Sequence, residues 1–502
     1  MRWLALSVLH LATRLPALTL LPIFLDETLH VRWALFIAEG EKPWGKPWEW
    51  GRALTIWLGA LVTPFADDLL WANRALSVAL GLLTLLATVA VAERLFDRRV
   101  GLLAGVFYVF CPFTLFYDRL ALADSCLQAL FALALLSSVR LVREGRVVFG
   151  VAAGAAMALG VYAKAPGVLL FAVPAAAAAF LGMPRAALPA LLAAYGVGLP
   201  PAAWALWRFF TTRNTATMAQ IATASDDGLL PRLAANLAEA FAWLWPYWTP
   251  ALFVLGAAAA AAAVVVRRRE GLLLAALAAL PVLAFGLTLS RWLPRYLLFA
   301  SVPLLVLAAW ALVRAVDRAT RGRSEAARNA ALALAALAAL LPSLRFDHAL
   351  WTDPPRAPLP ALERAQFVEG WTSGYGIRDT ERLVREELLR HPAGVRVVVH
   401  ANRFRTLRAT PLALGLAFAR EPRVRLEDWD LAHPTAVPAL EEWAAEGPTL
   451  LVVPRADPAV PPPPPAAWAH LGTLLATTRK PGGAPCDDVY RLCAGGCAER
   501  DP

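Results

Sequence analysis

Asp26 and Glu27 are adjacent carboxylates that follow the apolar run Trp3–Leu25 and open a polar stretch. Carboxylates beside hydrocarbon are costly to hold and are seldom placed there without use. Further charges interrupt later apolar runs: Asp118, Arg119 and Asp124 in "FYDRLALADS", Lys164 in "YAKAP", and Arg291, Arg295 and Tyr296 in "SRWLPRY". Lys46 joins them from "GKPWEWGR". Lysine occurs in this arginine-rich chain only at Lys42, Lys46, Lys164 and Lys480, so each is worth placing. Carboxylates and cations gathered at one membrane level suit a reaction on a lipid-linked anion. The cations hold a phosphate, and a carboxylate serves as base toward an acceptor. Each group also has a plain structural reading. Asp26-Glu27 fits a solvated helix end, Asp118–Arg119 a local ion pair, Asp124 a helix N-cap, and Lys164, Arg291 and Arg295 side chains that snorkel to the interface.

The elements that must position these groups are membrane helices. Hydrophobic residues make up 59% of the 502, charged residues 17%, and the mean hydropathy is +0.53. Apolar runs of spanning length recur along the chain, so the fold class is a polytopic α-helical membrane protein. Eleven spans are expected, near 3–24, 72–92, 100–116, 121–139, 147–163, 166–182, 186–206, 249–266, 271–289, 296–314 and 328–344. With Arg2 in the cytoplasm, the cytoplasmic loops carry Arg94–Arg99, Arg140–Arg146, Arg185, Arg267–Arg269 and Arg314–Arg328. All are basic, as the positive-inside rule requires. The net charge of +10 therefore reflects loop arginines, and no nucleic-acid partner is implied.

The apolar stretch Ala53–Phe65 is too short to span, and counting it would invert every later loop. It reads as an interfacial helix within a first outer loop, 26–71, that also carries Trp33, Trp44, Trp48, Trp50, Trp57 and Trp71. The same count puts the charged groups and the tail on the outer side. The expected domains are a membrane domain, 1–345, and an extracytoplasmic α/β domain, 346–502. Within the tail, "VRVVVHA" (395–401) and "PTLLVVPR" (448–455) read as buried strands and "TERLVREELLRH" (380–391) as an amphipathic helix. Cys486, Cys493 and Cys497 suit one disulfide with a thiol left over. Metal dependence is open at this stage: Asp26, Glu27 and Asp124 are hard oxygen donors suited to a divalent cation, and no other cofactor is expected.

Taken in order, these segments resemble the GT-C glycosyltransferases, which include the protein O-mannosyltransferases and the lipid A aminoarabinose transferase. "LDETLHVRWALFIAEGEKPWGKPWEWGRALTIWLGAL" is similar to that family's first outer loop, which Asp-Glu opens. "ANRALSVALGLLTLLATVAVAERLFDRRVGLLAGVFYVFCPFTLFYDRLALAD" is similar to its next block, from Arg74 to the Arg119 and Asp124 pattern. "LGVYAKAPGVLL" resembles its "L-T-K-G-P", "RWLPRYLLFASVPLL" a later "R-Y" element, and "GWTSGYG" a "GWPSGYG" element that follows the spans. Three departures stand out: Pro47-Trp48 replaces a double proline, Ala165 replaces the glycine after the lysine, and Asp118 adds an acid before Arg119.

The resemblance implies an inverting transfer from a polyprenyl-phosphate-linked sugar to an acceptor that is a lipid, a glycan or a protein. It casts Asp26 as base with Glu27 and Asp124 beside it, and Lys46, Lys164, Arg291 and Arg295 as the donor phosphate's ligands. Asp118, Arg119 and Tyr296 would position substrate. A bacterial cytoplasmic membrane is the implied location. The rival from another class is a transporter or flippase of lipid-linked sugars. Such proteins often carry internal repeats and midplane polar groups, and the sequence shows neither.

Overall fold

The protein is described from a computed structural model, for residues 1–42, 52–212, 228–289, 292–401, 408–455 and 469–493. Contacts divide the chain into two units: residues 1–18, 33–65 and 71–360 form the first, and 19–32, 66–70 and 361–502 the second. The expected boundary at 345/346 falls inside a helix that runs to Thr352, and the contacts divide after Pro360 instead.

The first unit is helical. Its helices are α1 (Arg2–Arg14), α2 (Leu25–Ala38, whose first turns belong to the second unit), α3 (Ala53–Val62), α4 (Leu69–Leu95), α5 (Arg98–Phe110), α6 (Pro112–Asp118), α7 (Ala123–Glu144), α8 (Val147–Ala163), α9 (Ala172–Leu181), α10 (Leu188–Thr212), α11 (Leu229–Val265), α12 (Arg269–Thr288), α13 (Ser301–Ala319) and α14 (Glu325–Thr352). Among the described residues, 7 helices are long and apolar enough to cross a membrane, or up to 8 with α5 and α6 taken as one bent span. That is fewer than the eleven spans expected: those at 3–24, 147–163 and 166–182 fall on shorter helical segments, Arg2–Arg14, Val147–Ala163 and Ala165–Leu181, and Ala53–Phe65 is a short apolar helix.

Two boundaries differ from expectation. The first span ends early, at Arg14, because Pro16 and Ala17 (φ 48°) turn the chain out of the helix. The helix expected from 249 begins at Leu229: Pro246 and Pro250 suggest a loop, yet the chain stays helical on both sides of a single break at Thr249 (φ 57°, ψ 152°).

A proline also breaks the α5–α6 pair, which bends by 61° at Cys111-Pro112. Proline donates no N–H, so carbonyls at the end of α5 lose their helical partners. Arg14 and Thr114 replace them. The Arg14 guanidinium donates to the carbonyls of Tyr108 and Val109, and the Thr114 hydroxyl donates to those of Tyr108 (2.6 Å) and Cys111 (2.9 Å).

In the second unit a five-stranded sheet has the order β2-β1-β3-β5-β4, with β1 (Val395–His400), β2 (Val424–Trp429), β3 (Thr449–Pro454), β4 (Gly472–Arg479) and β5 (Pro485–Leu492). β1 runs parallel to β2 and β3, whereas β5 is antiparallel to β3 and to β4. Every residue of β3, "TLLVVP", is buried, as its unbroken apolar run predicts for a strand covered on both faces. Helices α15 (Ala361–Arg364), α16 (Ile377–Arg390), α17 (Ala409–Ala417) and α18 (Ala436–Glu446) complete the unit. The α18 residue Leu440 packs with Val398, Leu451 and Leu492. Cys493 is disulfide-bonded and Cys486 is a free, buried thiol, while Cys497 lies outside the described residues.

Candidate active site

Asp26 and Glu27 occupy the first turn of α2, where the helix dipole favours negative charge. The Phe24 carbonyl accepts the first helical bond, from the Thr28 N–H (3.1 Å), which makes Phe24 the N-cap and Glu27 the third helical residue. Phenylalanine has no side-chain oxygen to cap with. Glu27 supplies the missing half: it is fully buried, and its Oε2 accepts the Phe24 N–H at 3.0 Å. Asp26 is only half-buried. The two acids thus face different surroundings.

In the first unit, the turn after α8 presents Lys164. The lysine's backbone is extended (φ −167°, ψ 145°), and the turn then folds back on its own helix. A Cβ on Gly167 would sit 2.1 Å from the carbonyl of Gly160, so only glycine allows that return. Lys164 Nζ donates to Asp124 Oδ1 at 2.6 Å and lies 4.4 Å from the centre of the Tyr296 ring. Asp124 sits within the first turn of α7, whose N-cap is Leu122, so it meets Lys164 rather than capping. Both partners are buried, as is Arg295. Burial lowers the Lys164 pKa to about 8; Asp124 opposes the fall, and the charges of Arg295 and Arg52 add to it. Lys164, Arg295, Arg52 and Asp124 are therefore electrostatically coupled.

Asp118 and Arg119 lie elsewhere in the first unit. Asp118 is fully buried, 3.4 Å from Arg14 Nε, and accepts from the Tyr108 hydroxyl at 3.2 Å. Helix α4 approaches it so closely that a Cβ on Gly81 would be 2.5 Å from the Asp118 carboxyl carbon. Arg119 Nη2 donates to the carbonyls of Pro16 (3.2 Å) and Ala17 (2.6 Å), and Arg74 donates to that of Leu18 (3.0 Å). Two arginines thus hold the strap that leaves α1. They over-determine the positive φ at Ala17, which an alanine adopts only at a cost.

Lys46 and Arg291 lie outside the described residues. Sequence reasoning did not single out Arg52 or Asp347. The signal for Arg52 was its place between a Trp-rich loop and an apolar helix. Asp347, in "RFDHALW" of α14, is fully buried with neither carboxylate oxygen hydrogen-bonded, and Arg14 and Arg119 act on it electrostatically. Among the described residues no group of three His, Cys, Asp or Glu side chains forms a metal-sized cluster.

Comparison with known proteins bears on fold and family. The dolichyl-phosphate-mannose-protein mannosyltransferase family matches residues 53–207. The structure of ArnT from Cupriavidus metallidurans bound to undecaprenyl phosphate is similar over 99% of this chain and 98% of its own, at 14% identity and a TM-score of 0.55. The archaeal oligosaccharyltransferase AglB from Archaeoglobus fulgidus, in complex with an inhibitory peptide and a dolichol-phosphate, is similar over 90% of this chain and 69% of its own, at 14% identity and a TM-score of 0.55. No curated protein sequence matches. The fold is therefore that of the GT-C membrane proteins.

Proposed function

We propose that this chain is a multi-pass GT-C-type glycosyltransferase, akin to the protein O-mannosyltransferases and ArnT, which moves a hexosyl or pentosyl group from a polyprenyl-phosphate donor to an acceptor at the outer face of the cytoplasmic membrane. The N-terminus lies in the cytoplasm and the second unit outside, in line with the basic loops. The acceptor's nucleophilic atom attacks the anomeric carbon. The bond from that carbon to the phosphate oxygen breaks, and the lipid phosphate leaves with the electron pair. The acceptor's proton passes to the Asp26 carboxylate, and the anomeric configuration inverts. Glu27 fixes the start of the helix that carries the base.

The reading rests on the Lys164 turn, where a buried ammonium bonds Asp124 and the charges of Arg295 and Arg52 act on it. Cations gathered in this way suit a phosphate ester. That ArnT and AglB were each solved with a polyprenyl phosphate supports the same class of donor. Lys46 and Arg291 complete the proposed phosphate ligands, with Tyr296 and Asp124 in positioning roles; Asp118 and Arg119, bound to Arg14 and to the carbonyls of Pro16 and Ala17, serve the fold instead. The test is binding of undecaprenyl phosphate to purified Lys164→Ala and Arg295→Ala proteins. Weakened binding in correctly folded protein supports the site, and wild-type affinity in both variants sinks it.

A further inference from the structure

The "GWTSGYG" element, Gly370–Gly376, takes no part in the chemistry above, yet within the second unit it lies against the strap that delivers Asp26. The Leu25 N–H donates to the Thr372 carbonyl at 3.0 Å. That N–H is one of the first donors of α2, which have no helical partner of their own. The Phe24 and Phe367 rings pack with centroids 4.3 Å apart. Arg378, two residues beyond the element, donates to the carbonyl of Leu20 at 2.8 Å and to that of Thr19. A Cβ on Gly374 would sit 2.3 Å from the Ile23 carbonyl oxygen and 2.8 Å from the Pro22 side chain. No positive φ calls for glycine at this position; the nearness of the strap does.

The element is itself held on the far side. The Ser373 hydroxyl lies 3.1 Å from the Phe367 carbonyl and 3.0 Å from that of Val368, and it accepts the Tyr375 N–H at 3.1 Å. Lys480, buried and one of the chain's few lysines, donates from Nζ to the Ser373 carbonyl at 2.6 Å. Behind it, fully buried Asp487 accepts from the hydroxyls of Thr380 (2.7 Å) and Thr410 (2.9 Å) and supplies charge opposite to that of Lys480. A lysine held this deeply is seldom needed for solubility.

We infer that Gly370–Gly376, anchored by Lys480, is a positioning element for catalysis: it fixes the first turn of α2 and so the direction of the Asp26 carboxylate. The inference rests on the reading of Asp26 as base. A base must be held within roughly half an ångström of its productive place, and the residues that hold it are as necessary as the base.

The test compares full-length wild-type protein with Gly374→Ala, Lys480→Met, Lys480→Arg, Gly472→Ala and Asp26→Asn. The probes are polyprenyl-phosphate mannose and polyprenyl-phosphate aminoarabinose, and the readouts are polyprenyl-phosphate release, thermal unfolding and amide exchange at Leu25. Gly374→Ala is expected to lower kcat about a hundredfold, with the donor KM changed by less than about twofold. Its Leu25 amide should exchange faster than in the wild type. Lys480→Met should lower kcat about tenfold, and Lys480→Arg, which keeps a donor, should restore most of the loss. Gly472→Ala presses a Cβ to 2.8 Å from the Arg491 carbonyl, in the β4–β5 pair; it should lower the unfolding temperature and leave kcat unchanged. An inactive Asp26→Asn beside a Gly374→Ala of wild-type kcat, or of kcat lowered only in proportion to the folded fraction, overturns the inference alone. Wild-type turnover in Asp26→Asn overturns the underlying reading instead.

Discussion

Two buried acid–cation pairs in the first unit look alike in the sequence and differ in everything around them. Arg14 and Asp118 have no exposed side-chain surface, and their partners are all internal: the carbonyls of Tyr108 and Val109, the hydroxyls of Thr13, Thr114 and Tyr108. Lys164 and Asp124 are joined by one short bond, with 8% and 5% of their side chains exposed, and the charges of Arg295 and Arg52 act on the lysine. The first pair closes a broken helix. The second is the pair proposed to meet the donor phosphate. The two pairs differ in their surroundings, and neither burial nor residue type reveals that difference.

The largest effect is expected at Arg14. Arg14→Met leaves Asp118 buried without its counter-charge and uncovers the carbonyls at the end of α5. Stability is expected to fall by about 3–5 kcal/mol, read as thermal unfolding in detergent. Undecaprenyl-phosphate affinity of the folded fraction should not change; a selective loss of affinity would make the pair part of the site. Lys164→Ala should do the reverse. Removing a charge-assisted bond worth roughly 1.5–3 kcal/mol weakens binding about tenfold to a hundredfold, with little change in unfolding temperature. Loss of fold without loss of affinity would show the two pairs to be equivalent.

Lys164 also stands apart in its acidity. Its pKa lies at about 8, so the ammonium is present below that pH and is lost above it. Donor kcat/KM should therefore fall as the pH rises through about 8, which reports the free enzyme. Lys164→Arg should remove that limb. The smallest effect is expected from Asp124→Asn. The carboxylate raises the Lys164 pKa, so its removal should move the alkaline limb to lower pH. A limb that stays in place would show that Asp124 does not act on Lys164.

Much of this was legible in the sequence. Apolar run lengths located the helices, and the unbroken stretches in 395–401 and 448–455 located β1 and β3. The other strands were not legible, because β2 ("VRLEDW") and β4 ("GTLLATTR") have mixed faces, and half-exposed strands leave weak patterns. Lys164 and Asp124 were named from sequence, and their direct bond joins them. Asp118 was named for the same reasons, but its partner Arg14 stands 104 residues earlier, inside what read as a plain apolar span. The part played by Glu27 was hidden because its partner is a backbone N–H, which no residue type announces. The strap's supports, Arg74, Arg119, Thr372 and Arg378, likewise meet carbonyls or amides rather than side chains.

The proposed transfer depends on Asp26 as base. The measurement that tests it most directly is single-turnover release of polyprenyl phosphate from a polyprenyl-phosphate sugar by purified Asp26→Asn, beside undecaprenyl-phosphate affinity in the same sample. Asparagine keeps the shape and removes the base. Turnover is predicted to fall at least about a hundredfold, the low end for loss of a general base, with affinity unchanged. Wild-type turnover in a folded, lipid-binding Asp26→Asn protein would contradict the account.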